Sequence, residues 1–165
     1  PGSVNEATPV ISVDYFPTVL EIVGAPGAGA TRAGVPAGAP KVDGESIVPL
    51  LRGGTRLRRD AIYWHYPHYH PGSSTPYSAV RQDNWKLLHF FEDDRVELYD
   101  LGEDLGETND LAPRLAQKTA ELRARLTAWR TEIGAQLPSP NPNYDPARAW
   151  GSERPAGGKA RAKKR

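Results

Sequence analysis

Three strand-length segments between residues 77 and 101 constrain the fold of this chain most, because only short polar turns separate them. The strands are predicted at 77–82, 85–91 and 95–101. Asp83 and Asn84 both tolerate positive φ, so they fit a two-residue hairpin turn. The acidic residues 92–94 fit a slightly longer turn. The spacing therefore predicts an antiparallel meander.

A further strand is predicted at 62–66, which gives the sheet four strands. Side chains alternate between the two faces of a strand. In the third strand, one face receives Trp85, Leu87, His89 and Phe91. The other face receives Lys86, Leu88 and Phe90. Since both faces carry apolar residues, we expect each to be partly covered.

A helical stripe follows the meander and is predicted to cover one of its faces. Its members recur at intervals of four and three residues: Leu115, Thr119, Leu122, Leu126, Trp129 and Ile133. Asp110 is the predicted N-cap, Pro113 falls in the first turn, and Gly134 ends the pattern. The predicted fold class is α+β, a small antiparallel four-stranded sheet packed against a long C-terminal helix.

The first part of the chain predicts a short helix at 9–23, with Ser12 or Asp14 as cap and Gly24 at its end. Its predicted inner face consists of Val13, Phe16, Val19, Leu20 and Val23. A loop rich in Gly, Ala and Pro follows through residue 40, and a Pro-rich, basic, disordered tail is predicted beyond residue 137. The predicted units are 1–57, 58–137 and 138–165.

Composition excludes several function classes. The 165 residues include no Cys, which excludes disulfides, Cys-ligated metals and a Cys nucleophile. No apolar run reaches the length of about 18 residues that indicates a membrane span. The net charge is +1, but residues 147–165 carry +6, so residues 1–146 carry −5. The acidic balance of the predicted folded part argues against a specific nucleic-acid surface.

The densest functional-looking cluster contains His65, His68 and His70, interleaved with aromatic residues. Two imidazoles on one strand face could bind a divalent metal, but the spacing supplies no third ligand and Pro67 interrupts the strand. A second interpretation is a loop that stacks on sugar rings and donates hydrogen bonds to hydroxyl or sulfate oxygens. The third is aromatic packing with solvent-facing imidazoles.

Two charged groups admit a functional and a structural interpretation. Arg81 could bind a sulfate or carboxylate, with Lys86 on the adjacent strand. The alternative is a solvated cross-strand charge near Glu97 or Asp100. Acidic residues could also suggest a calcium loop, but they lack its Gly-centred ligand pattern, so turn formation and capping are predicted: Asp100, Glu103, Asp104 and Glu107.

Several motifs, in order, resemble the downstream part of a sulfatase of the arylsulfatase or N-sulphoglucosamine sulphohydrolase type. Residues 13–24 read VDYFPTVLEIVG and residues 42–53 read VDGESIVPLLRG. The others are RDAIYWHYPHY at 59–69, YSAVRQDNWKL at 77–87 and VELYDLGEDLGETNDL at 96–111. The resemblance implies that residues 1–57 are a remnant of the α/β catalytic domain and that 58–137 form its C-terminal subdomain.

The resemblance also implies what to expect upstream of Pro1. Sulfatases use a formylglycine made from a Cys or Ser in a Cys/Ser-x-Pro-Ser-Arg motif, together with a calcium ion held by acidic and amide side chains. Neither Ser74 nor Ser139 begins such a motif. We therefore predict no catalytic residue, metal ligand or cofactor site in this chain, and we expect formylglycine and calcium in the missing part of the parent.

The resemblance thus implies a structural, substrate-framing role without turnover by this chain alone. His65, His68, His70 and Arg81 are the predicted substrate-binding residues. The expected partner is a sulfated carbohydrate or aryl sulfate, bound through the parent enzyme. The alternative is a stand-alone carbohydrate-binding or interaction module. Sulfatases are often exported or periplasmic, which leaves the compartment of this chain open.

Overall fold

Four strands form one antiparallel sheet in the computed structural model, which describes residues 4–6, 8–25, 42–69 and 75–145. Their bounds are β1 (Ile62–Tyr66), β2 (Tyr77–Gln82), β3 (Trp85–Phe90) and β4 (Val96–Asp100). Each strand pairs with its neighbour in the sequence, which confirms the predicted meander. The turns place Asp83 and Asp94 at φ 52° and 56°, a conformation that aspartate tolerates.

The core lies between one face of this sheet and helix α3 (Ala116–Glu132). One cross-strand row runs through the sheet: Tyr63, Val80, Leu87 and Leu98. Leu122 and Leu126 of α3 pack against this row and are fully buried. Trp129 extends the contact by stacking on Tyr63, with ring centroids 4.7 Å apart. The predicted α+β architecture is therefore confirmed.

The predicted start of α3 is wrong by one turn or more. The helix begins at Ala116, and Pro113 lies in a turn before it. Asp110 does not cap the helix, because its carboxylate accepts hydrogen bonds from the backbone N–H groups of Leu98 (3.0 Å) and Ala112 (2.9 Å). The Asp110 carboxylate instead connects the turn before the helix to β4. Gly134 follows the helix at φ 62°, as its position predicted.

Helix α1 (Tyr15–Ile22) follows a short 3-10 helix over Ser12–Asp14, in agreement with the predicted position. Its predicted inner face is wrong. Phe16 and Val19 are 60% and 56% exposed, whereas Asp14 and Thr18 on the other side are buried. The buried side packs on the segment that leads into α2 (Val48–Leu51).

Gly44 allows this close approach of the two segments. A Cβ at Gly44 would lie 2.0 Å from the carbonyl oxygen of Val13, so no larger residue fits without backbone movement. Thr18 then accepts a hydrogen bond from the backbone N–H of Ile47 (3.0 Å) and donates one to Asp14 O (2.5 Å). Hydrogen bonds between the side chains of Asp14 and Thr18 and backbone groups, and not the apolar stripe, thus orient α1.

Some predictions fall outside the described residues. They include His70, most of the Gly/Ala/Pro-rich loop and the basic tail. Within the described residues, no helix is both long and apolar enough to cross a bilayer.

Candidate functional site

The loop after β1 stands on an aromatic row of the sheet face opposite α3. Tyr66, Tyr77 and Phe90 occupy neighbouring positions on three strands. Their ring centroids are 6.2 Å and 6.1 Å apart in sequence order. The guanidinium of Arg95 lies 3.9 Å from the centroid of Phe90 and closes the row with a cation–π contact. The row gives the loop a rigid base.

His68 and Tyr69 project from this base. His68 is exposed, and its ring meets Tyr66 edge-on at 5.7 Å. Tyr69 is 61% exposed, and its hydroxyl donates to Glu92 at 2.9 Å. That hydrogen bond raises the pKa of Tyr69, so the phenol stays neutral and oriented. An exposed imidazole beside an oriented phenol ring can hydrogen-bond hydroxyls and stack on a sugar.

His65 lies on the other face of β1 and has a different environment. Its Nε2 lies 2.8 Å from the carbonyl oxygen of Gln136, and its Nδ1 lies 2.7 Å from Oγ of Ser78. A carbonyl only accepts, so Nε2 carries the proton and Nδ1 accepts from the Ser78 hydroxyl. Both ring nitrogens are occupied within the protein. This geometry favours a positioning role for His65 over the direct binding that we predicted.

His89 forms a second histidine network that the sequence did not reveal. It is 7% exposed; its Nε2 lies 2.6 Å from Asp94 Oδ1, and its Nδ1 lies 2.9 Å from Arg130 Nη1. Since guanidinium only donates, Nδ1 is unprotonated and Nε2–H donates to Asp94. Burial lowers the pKa of His89, while the hydrogen bond to Asp94 opposes that shift. The network joins α3 to the β3–β4 turn.

Arg81 lies at the far end of β2 from this loop. It pairs across strands with Lys86, and its Nε donates to the backbone oxygen of Asp83 at 3.2 Å. Lys86 is bound to Glu107, at 2.6 Å and 2.8 Å from the two carboxylate oxygens, and not to the predicted Glu97 or Asp100. The predicted set therefore divides: His68 lies on the loop, His65 contacts the segment that follows α3, and Arg81 lies at the opposite end of the sheet.

The described residues contain no cluster of three or more His, Asp or Glu side chains that could hold a metal ion. Asp104 serves the turn that follows β4, as predicted. Its carboxylate accepts hydrogen bonds from the backbone N–H groups of Thr108 and Asn109, each at 2.8 Å. These bonds, that of Asn109 foremost, hold the pKa of Asp104 below its ordinary value.

One run of basic residues escaped the sequence interpretation. Arg56, Arg58 and Arg59 lie within four positions immediately before β1. They line a cleft of about 240 Å³ that also contains Arg81. The short spacing of the three arginines was a readable signal, but their proximity to Arg81 depends on the sheet.

Comparisons with known proteins agree with this fold. Residues 1–132 match the family model described as N-sulphoglucosamine sulphohydrolase, C-terminal. A sulfatase from Formosa agariphila is 38% identical over 144 residues, covering 78% of this chain and 24% of that protein. A Delta 4,5-hexuronate-2-O-sulfatase from Bacteroides thetaiotaomicron is 29% identical over 140 residues, covering 82% of this chain and 26% of that protein.

One solved structure shows a protein in complex with its substrate D-glucosamine-2-N,6-O-disulfate. That protein is 28% identical to this chain, and the two structures superpose with a TM-score of 0.57 over 73% of this chain and 24% of that one. The chain thus spans about a quarter of the length of the curated relatives it matches. The meander, the helix across it and the family match over most of the chain lead to one assignment. The chain belongs to the sulfatases, as a member of the N-sulphoglucosamine sulphohydrolase C-terminal family.

Proposed function

We propose that this chain is the C-terminal portion of a sulfatase, which packs against an upstream catalytic domain, frames its substrate and does not turn over substrate alone. The reaction needs a strong nucleophile and a cation to neutralise the sulfate. The sequence contains neither Cys nor a Ser-x-Pro-Ser-Arg motif. The sulfatase relatives are about four times as long as the part that this chain matches.

The observation that carries the proposal is the exposed apolar side of α1. The exposed members are Tyr15, Phe16, Val19, Ile22 and Val23, each more than half exposed. A contiguous apolar patch of this kind is typical of an interface. The polar side of the same helix is buried and fixed by Asp14 and Thr18. The helix therefore presents a preformed apolar surface, and a catalytic domain is the partner we infer for it.

The interface can be tested by co-expression with the reading frame upstream of Pro1. We expect the two parts to co-purify and to hydrolyse a chromogenic aryl sulfate with calcium, and the chain alone to give no turnover. Phe16→Gln with Val19→Gln should reduce co-purification and turnover at least tenfold. These residues are exposed, so the variant should keep the melting temperature of the wild-type chain.

Leu105→Gln is the matched control, because Leu105 is 81% exposed but lies in a turn outside the α1 surface. It should leave both readouts unchanged. Turnover by the chain alone would contradict the proposal. So would an upstream frame without Cys/Ser-x-Pro-Ser-Arg, which would favour a stand-alone module.

The substrate-framing part of the proposal concerns the loop after β1. His68 and Tyr69 offer an exposed imidazole and phenol on a rigid aromatic base. The relatives include a hexuronate sulfatase and a structure with a sulfated glucosamine bound, which supports a sulfated saccharide as substrate. His70 remains a predicted member of this loop. His65 is proposed to position the end of β1, from which the loop leaves, through its contacts with Ser78 and Gln136.

Two substrates separate binding from chemistry in the reconstituted enzyme. His68→Ala should lower kcat/KM on a sulfated oligosaccharide about tenfold, the value of one lost hydrogen bond. A small aryl sulfate should be hydrolysed almost normally. Equal losses for both substrates would assign His68 to the reaction centre, and no loss for either would refute the framing role.

A further inference from the structure

We infer that the arginine-lined cleft at the start of β1 binds a sulfate group of a sulfated saccharide. The cleft has a volume of about 240 Å³. Thr8 and Pro9 form one side, residues 56–62 form another, and Arg81 and Asp83 close it. It lies at the opposite end of β1 from His68. A saccharide on this surface would therefore span the sheet.

Charge decides what the cleft can accept. Four arginines face two aspartates: Arg56, Arg58, Arg59 and Arg81 against Asp60 and Asp83. Arg59 is committed to the buried carboxylate of Asp14, with Nη2 2.6 Å from Oδ2. Asp60 is likewise committed to Arg125 of α3, at 2.5 Å from Nη2, and this contact lowers the pKa of Asp60. These two ion pairs fix the lining of the cleft and leave the charges of the other arginines out of account.

The charge available to a ligand belongs chiefly to Arg56 and Arg81. Arg81 donates a hydrogen bond from Nε to the backbone oxygen of Asp83. Because that oxygen is uncharged, the bond does not neutralise the positive charge of Arg81. Arg56 lines the cleft and is exposed. Arg58 forms an ion pair with Glu45, in which Nε lies 3.2 Å from Oε1, and 65% of the Arg58 side chain is exposed. Arg56, Arg58 and Arg81 thus line one cleft from two different segments of the chain.

A guanidinium fork matches two oxygens of a sulfate or carboxylate, and arginine holds such anions better than lysine because of this geometry. A sulfate monoester carries three terminal oxygens, which suits donors that approach from two sides. The volume of about 240 Å³ accommodates a sulfate group, so the cleft would hold the anionic substituent. The inference deepens the proposed function, on which it rests only for the choice of a sulfated saccharide as carrier.

Binding to the full chain tests the inference without any turnover, so its failure is separate from failure of the proposed function. The probe is a heparin-derived tetrasaccharide, measured by calorimetry at fixed ionic strength. Arg56→Gln and Arg81→Gln should each weaken its affinity about fivefold to tenfold. Arg81→Lys should also weaken it, since lysine keeps the charge but loses the fork.

Arg114→Gln is the matched control, because Arg114 is exposed and lies in the turn before α3, outside the cleft. It removes the same charge and should change affinity less than twofold. Equal affinities for the cleft variants and wild type would overturn the inference and assign binding elsewhere, for example to the basic residues after 146. Equal affinity for the desulfated tetrasaccharide would overturn the assignment of sulfate. Melting temperatures would establish that each variant is folded.

Discussion

Asp14 is the residue whose replacement tests the architecture most directly, because its carboxylate joins three segments. Oδ1 accepts from the backbone N–H of Glu45 (3.0 Å) and from Nη1 of Arg59. Oδ2 accepts from the backbone N–H of Ile11 (2.8 Å) and from Nη2 of Arg59 (2.6 Å). Each oxygen thus satisfies one backbone donor and one guanidinium donor. Asp14 is 1% exposed.

Asp14→Asn keeps the shape of the side chain but turns one acceptor oxygen into a donor. Two hydrogen bonds are then lost, two donors face the new amide, and the guanidinium of Arg59 loses its counter-ion. Removing one partner of a buried ion pair costs about 3–5 kcal/mol. The Arg59 side chain is 19% exposed and can be partly rehydrated, so we expect a loss near the lower limit, about 3 kcal/mol.

Urea unfolding followed by far-UV circular dichroism measures this loss, and amide exchange in α1 localises it. Asp43→Asn is the control, since Asp43 is exposed and just precedes the Gly44 contact. A double-mutant cycle with Arg59→Gln should give a coupling energy of about 1–3 kcal/mol. A loss below about 0.5 kcal/mol for Asp14→Asn, or additive effects in the cycle, would refute the anchoring role.

Two further predictions concern the core and its pH dependence. Leu126→Ala should cost about 2–5 kcal/mol in thermal or urea unfolding because Leu126 is fully buried, whereas the exposed Leu105→Ala should stay within about 0.5 kcal/mol. The pKa of His89 is lowered in the folded chain, so the unfolded chain binds the extra proton first. Stability should therefore fall as pH falls below the unfolded value of about 6.5, towards the lower folded pKa. His89→Gln should flatten that slope below about pH 6.5; an unchanged slope would exclude His89 as its source.

The sheet could be predicted because its determinants are local. Alternation and the aspartates at the turns fix both the pairing and the register of β2 to β4. The apolar face of α1 was misassigned for a different reason. Periodicity identifies which side chains share a face, but it does not reveal whether the covering surface lies in the same chain. Here the buried side is chosen by polar contacts of Asp14 and Thr18 with a distant segment.

The candidate sites were predictable only in part, because they depend on residues that are distant in sequence. The loop position of His68 could be read from the sequence, and its role in binding stays a prediction. The positions of His65 beside Gln136 and of His89 beside Arg130 require the path of α3 across the sheet. The cleft likewise combines Arg56 and Arg81, which only the pairing of β1 with β2 brings together.

The order of the strands has a consequence for how the chain folds. Every strand pairs with its immediate neighbour, and short turns of two and five residues join β2, β3 and β4, so this part of the sheet can form quickly. The anchor of α1 instead joins Asp14 to Arg59 across 45 positions. Closing a loop of that length costs more conformational entropy than closing the short turns of the meander, and this cost precedes any gain from the contact. We therefore expect the meander and α3 to form the folding nucleus and α1 to dock late. The exposed apolar side of α1 then becomes ordered only after the sheet and α3 have formed.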